Sequence, residues 1–286
     1  MLGHVVEYGT GRAVPGAVAQ TDLQVTPFTA DANGDFRVSF SSPRTFRVTI
    51  EAPGYITRET YLRLERGTRN VIVDLLREGG GFSLEYYRQL ARDSTRAPAY
   101  EPLWRLKDNP SFYVRTVDQN GRTIEPEVLR GVYAAIPKAV ADWSARRLAV
   151  ATLETGVGTR PRTPGWIIVN ILREKDAEYC GLAEVGAVDG QIELWNDVCS
   201  CGSNKLPGAL IAHEVGHALG FFHVTDEDAV MFPTFPGGRC PNGALTVRER
   251  FHAAVAYSRS RGNADQDIDS DTMTPLSVRE PPVVAN

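Results

Sequence analysis

His213-Glu214-Val215-Gly216-His217-Ala218-Leu219-Gly220-Phe221-Phe222-His223 sets two histidines four residues apart, with a glutamate beside the first. On a helix, residues four apart share a face, so His213 and His217 can each offer a nitrogen to one ion while Glu214 lies next to them. Gly220 permits the left-handed backbone that ends a helix, after which the chain turns and His223 becomes a third ligand. Three protein ligands leave one coordination position open, the feature that separates a catalytic zinc from a structural one. Glu214 is then the group placed for proton transfer. A bare HExxH arises by accident in roughly 1% of chains of this length, and the added glycine and third histidine make accident negligible.

Working outward, the motif helix is expected over residues 206–219. A longer helix is expected from Pro126 to Arg147. There Val128, Leu129, Val132, Ala135, Ile136, Ala139, Val140 and Trp143 recur at three- and four-residue spacing, the stripe a helix lays on a sheet, and Pro137 should kink it. Strands are expected over residues 112–117, 148–153, 166–171, 181–185 and 191–195, the last two flanking the turn Val188-Asp189-Gly190 near a sheet edge. A closing helix is expected over residues 245–257. Strands alternating with helices predict an α/β unit.

The extended motif resembles that of the metzincin zinc peptidases. His223-Val224-Thr225-Asp226-Glu227-Asp228-Ala229-Val230-Met231-Phe232-Pro233 resembles the matrixin stretch in which a Met soon follows the third His, although Val224 and Phe232 stand where matrixins usually carry Ser and Tyr. The resemblance implies a twisted sheet with an active-site helix. It implies a zinc-dependent endopeptidase acting on extended protein or peptide substrates, with one Zn2+ held by His213, His217 and His223 and with Glu214 as general base. Met231 becomes the Met-turn residue, a soft floor beneath the metal. Substrate is expected to pair with the edge strand near Leu182 and Ala183, while Ala209 shapes the main specificity pocket and residues 233–240 its outer wall. Glu184 and Glu193 stand where matrixins often place structural-zinc histidines, so no second zinc is expected.

Ahead of this unit, residues 1–77 read as about seven short strands with explicit turns, such as Asp31-Ala32-Asn33-Gly34-Asp35 and Ala52-Pro53-Gly54-Tyr55. A small all-β sandwich of transthyretin or Ig-like type is the expectation. Thr10-Gly11-Arg12-Ala13-Val14-Pro15-Gly16-Ala17, Thr29 to Phe36 and Glu51 to Tyr55 resemble the carboxypeptidase regulatory-like domain, an accessory module without catalytic residues. Its expected role is that of a spacer or folding aid, with binding of a surface or substrate as the alternative. Residues 78–110, opened by Gly79-Gly80-Gly81, read as linker and docking segment, containing a short helix over residues 84–92. The zinc peptidase domain is expected over residues 111–261.

The remaining signals concern environment. With 31 basic and 35 acidic residues mixed along 286 positions, the chain offers no extended basic face for nucleic acid. No apolar run approaches the roughly 20 residues a membrane span needs, and no signal peptide is visible at the start. Cys180, Cys199, Cys201 and Cys240 all flank the motif, and residues separated by one position rarely bridge each other. Cys199 and Cys201 are therefore expected to pair with Cys180 and Cys240, in an order the sequence does not fix; a structural zinc or free thiols are the alternatives. Disulfides imply a secreted or periplasmic protein. Residues 262–286 read as a polar, solvated tail. There Asp265, Asp267, Asp269 and Asp271 invite calcium, but Ser270 and Leu276 break the EF-hand pattern, leaving calcium unsupported. The rival function is a secreted adhesion or binding protein whose zinc site is structural or inactive.

Overall fold

Phe46-Arg47-Val48-Thr49-Ile50 alternates apolar and polar residues, and in a strand every second side chain faces the same way. In the computed structural model Phe46, Val48 and Ile50 are the buried ones. The structure describes residues 2–23, 26–38, 42–64, 70–173, 179–196, 206–234 and 243–270. The chain divides into two compact units, the first comprising residues 1–87, 100–102 and 258–286, the second residues 88–99 and 103–257.

The first unit is β-rich. Its strands are β1 (Leu2–Glu7), β2 (Val18–Thr21), β3 (Phe28–Thr29), β4 (Asp35–Arg37), β5 (Arg44–Glu51), β6 (Arg58–Leu64) and β7 (Asn70–Leu75). They form a three-stranded sheet, β4-β1-β7, and a four-stranded antiparallel sheet, β3-β2-β5-β6. One apolar cluster draws on both, including Val5, Val71 and Val73 from the first sheet and Phe46, Val48 and Leu62 from the second.

The expectation of a solvated tail is corrected over residues 262–270. Glu59 in β6 exchanges backbone hydrogen bonds with Asp267 and Asp269 at 3.0 and 2.9 Å. Asp267 and Asp269 are buried, and their carboxylates accept from Arg259 and from Arg58. Arg259 also reaches Asp74 in β7 at 2.5 Å, and Arg58 pairs with the same carboxylate. Two of the aspartates that invited calcium thus neutralise buried guanidiniums; Asp271 lies outside the described residues.

The second unit is α/β. Its elements are α1 (Leu84–Arg92), whose first residues belong to the β-rich unit, β8 (Ser111–Arg115), α2 (Pro126–Trp143), β9 (Thr152–Gly156), β10 (Trp166–Leu172), β11 (Gly181–Ala183), β12 (Gln191–Trp195), α3 (Gly208–Ala218) and α4 (Val247–Ser258). The sheet runs β11-β12-β10-β8-β9, parallel except for β11 at the edge. Ile167, Ile168, Val169 and Ile171 of the central β10 are all buried, as parallel strands covered on both faces require.

Two expected elements move by more than two residues. α2 continues through Pro137 but stops at Trp143, because Ala145 and Arg146 adopt positive φ of 50° and 61°. The strand expected over residues 148–153 instead pairs from Thr152, opposite Ser111.

Candidate metal centre

Every residue of α3 from Ala209 to Ala218 is buried, consistent with a helix that is apolar nearly all round. It packs against α2, β11 and β12. Trp143 of α2 donates its indole N–H to the Ala212 carbonyl at 2.8 Å and stacks near Phe221, ring centroids 4.8 Å apart. Gly216 has a packing reason to sit in a helix interior, where glycine costs about 1 kcal/mol relative to alanine. A Cβ there would stand 2.7 Å from Met231 Sδ and 3.0 Å from the Trp143 ring. The fully buried Met231 thus lies directly against the helix that carries the histidines. Gly220 follows with φ +104°, turning the chain out of the helix towards His223.

The three imidazoles converge. Their Nε2 atoms lie 3.1 Å apart for His213 and His217, 3.1 Å for His217 and His223, and 3.2 Å for His213 and His223. Nitrogens bound tetrahedrally at the usual zinc distance would lie about 3.3 Å apart, so the donor set fits a single zinc with little adjustment. The outer nitrogens are already committed: His213 Nδ1 donates to the Val230 carbonyl at 2.7 Å, and His217 Nδ1 to the Phe221 carbonyl at 2.8 Å. Those bonds fix the tautomer that leaves Nε2 free to ligate. Burial lowers His213 to about 4 and His217 well below the ordinary imidazole range, and also lowers the more exposed His223. Neutral imidazole is the ligating form.

Glu214 is buried beside this cluster, and burial pushes its carboxyl up to about 8. Its Oε2 has no hydrogen-bond partner among the described residues. A cation at the histidine nitrogens would supply the charge that such a carboxylate lacks. Gly181 of β11 makes room for it, since a Cβ there would stand 2.2 Å from Glu214 Oε1.

The other predicted residues are spread around this centre. Leu182 is exposed and Ala183 half-buried on β11, whose outer edge pairs with no strand among the described residues. Ala209 is fully buried in the first turn of α3. Cys180, next to Gly181, is disulfide-bonded, whereas Cys199, Cys201 and Cys240, like residues 235–240 of the expected pocket wall, lie outside the described residues. Glu184 receives both terminal nitrogens of Arg162, at 2.9 and 2.5 Å, and Glu193 accepts from Gln191 at 2.8 Å. His4 bonds Asp35 and His252 bonds the Arg248 carbonyl, each within its own element's surroundings.

Sequence reasoning missed Glu249. Its carboxylate accepts from Thr246 N and Oγ1 at 2.8 and 2.9 Å, while Thr246 Oγ1 accepts from Glu249 N at 3.0 Å. The same carboxylate accepts from Met231 N at 3.0 Å, so the cap of α4 also fixes the turn whose Val230 carbonyl orients His213. Thr246-Val247-Arg248-Glu249 spells a capping box, the signal that could have revealed it.

Three neutral imidazoles, two of them on α3 with their outer nitrogens tethered to carbonyls, and a buried carboxylate on that helix form a group that could hold one metal ion. The comparisons with known proteins agree over that stretch. The matrixin family model matches residues 200–248. Over 54 residues the chain is 44% identical to human matrilysin, a span covering 19% of this chain and 20% of matrilysin. The chain therefore aligns with about a fifth of the length of that curated relative, while the family match spans the three histidines, Met231 and the start of α4.

Proposed function

We propose that this chain is a zinc-dependent endopeptidase that cleaves extended protein segments. The observation that carries the reading is the convergence of three imidazoles, two of them carbonyl-tethered on α3, beside a buried Glu214 whose Oε2 has no hydrogen-bond partner among the described residues, in the stretch that matches the matrixin model. Zinc, when bound there, lowers the pKa of a coordinated water to about 7 and polarises the scissile carbonyl. His213, His217 and His223 would hold it. Glu214 takes the proton of the attacking water and returns it to the departing amine, as a general base that becomes a general acid. Leu182 and Ala183, on the edge of β11 that pairs with no strand among the described residues, offer main-chain groups to an extended substrate, a mode of binding that tolerates many sequences. Ala209, small and close before His213, leaves room for a large apolar side chain beside the scissile bond.

Three further readings accompany this one. Met231 serves as floor to the centre rather than as ligand. The disulfide at Cys180 supports a secreted or periplasmic setting. The β-rich unit, with its regulatory-like turns, serves as an accessory module, and the α/β unit, which holds most of the expected residues 111–261, carries the peptidase.

Cleavage of an unstructured protein and a peptide library tests the reading, with wild type compared with Glu214→Ala alongside metal analysis. We expect wild type to cut, chelation to abolish cutting, and the variant to retain one zinc while losing at least about a thousandfold in rate. Zinc binding without cleavage by wild type would instead favour an adhesion or binding role.

A further inference from the structure

Two of the three histidines are set by α3, but His223 stands on the loop after Gly220 and is the exposed member of the set. Its position depends on what grips that loop. On one side Phe222 N donates to the Leu90 carbonyl of α1 at 2.8 Å. On the other, Thr225 N and Thr225 Oγ1 both donate to Gln89 Oε1, at 3.0 and 3.1 Å. Val224 N donates to the Met231 carbonyl at 3.0 Å, so the loop is clamped between α1 and the methionine turn. α1 can bear this load because Leu90, Ala91 and Arg92 are buried. Nearby, Trp104 and Arg105 pass so close to Gly220 that a Cβ there would stand 2.8 Å from Arg105 N.

We infer that Gln89 is a positioning residue of the metal centre: it and the Leu90 carbonyl hold the loop that presents His223, making the segment before the first strand of the α/β sheet a working part of the site. The matrixin-like match begins only at residue 200, so nothing in that likeness assigns this role. The inference rests on the zinc reading above. Its chemistry is specific, because the Gln89 side chain acts on the loop as an acceptor, and glutamate offers the same oxygen.

The test measures zinc affinity by competition with a chromophoric chelator, together with thermal melting, for wild type, Gln89→Glu, Gln89→Leu, Thr225→Ala and the double variant Gln89→Leu/Thr225→Ala. Groups that orient a metal ligand change affinity by tenfold or more, and for a bond to the ligand's loop we expect about tenfold weakening in Gln89→Leu. The double variant should be no weaker than Gln89→Leu alone, Gln89→Glu should bind like wild type, and the melting of the metal-free protein should hardly move. Affinity in Gln89→Leu within twofold of wild type overturns the inference, as does additive loss in the double variant. If wild type binds zinc but cuts nothing, the peptidase reading fails while these affinities still decide the role of Gln89; if wild type binds no zinc, both fall.

Discussion

Gly181 has no side chain, and the carboxylate of Glu214 fills the space where one would be, with Oε1 2.2 Å and Cδ 2.6 Å from an ideal Cβ. Alanine could adopt the backbone there, so the fold should survive and the carboxylate should be displaced. Catalysis is sensitive to such shifts, since misplacing a reacting group by about 1 Å can cost a hundredfold. We expect Gly181→Ala to lose ten- to a hundredfold in kcat, with zinc content retained and KM little changed; a kcat within twofold of wild type would refute the contact. His213 and His217 were legible because four residues is the spacing of a helix face, and His223 because Gly220 marks the turn that brings it back. Gly181 was not, because nothing local marks a glycine whose neighbour lies on a different element, and only the packing of β11 against α3 brings them together.

At the level of elements, α4 joins two tasks through one side chain. Glu249, fully buried, caps its own helix with Thr246 and also holds Met231 N. Truncation leaves buried donors without acceptors, at about 1–3 kcal/mol each, in addition to a lost cap of about 1 kcal/mol. Glu249→Ala should therefore lower unfolding free energy by about 2–4 kcal/mol in denaturant titrations and weaken zinc binding through the Val230 carbonyl. Stability unchanged to within 0.5 kcal/mol, roughly the effect of an ordinary surface substitution, would show that the bonds carry nothing. Most elements were readable from periodicity: the stripe Val128 to Trp143 gave α2, and Gln191 to Trp195 formed β12 as expected. β9 was misplaced because Leu148-Ala149-Val150 looks like a strand, yet pairing starts where Thr152 meets Ser111, a choice made by the partner strand.

For the molecule as a whole, the buried charges of the β-rich unit set its response to acid. Burial alone would raise Asp269, but the guanidiniums of Arg58 and Arg259, with Ser260 and Thr60, overcome it and hold the carboxyl at about 2. Asp74 pairs with the same two arginines, and Asp267 with Arg259. A carboxyl bound more weakly by protons in the fold than in the unfolded chain adds stability above its ordinary value of 3.8, and loses it as pH falls towards 2. A shift of nearly two units corresponds to about 2 kcal/mol. Acid unfolding of the full chain, followed through the Tyr55 environment of this unit, should steepen between pH 4 and about 2 on that account. Asp269→Asn should flatten it, and an unchanged profile would rule the ion pair out as its source.

The buried pair of Arg58 and Asp74 is flanked by Asp269 and Arg259, which come after the whole α/β unit in the chain. A ribosome builds proteins from the N-terminus, and domains generally fold as they emerge. Here the β-rich unit closes late, since Arg259 and Asp269, which add to the Arg58–Asp74 pair, follow every residue of the α/β unit in the chain. Completion of the β-rich unit therefore reports that the α/β unit has already been synthesised, and a chain released before residue 259 would lack the Arg259 and Asp269 that flank the buried Arg58–Asp74 pair.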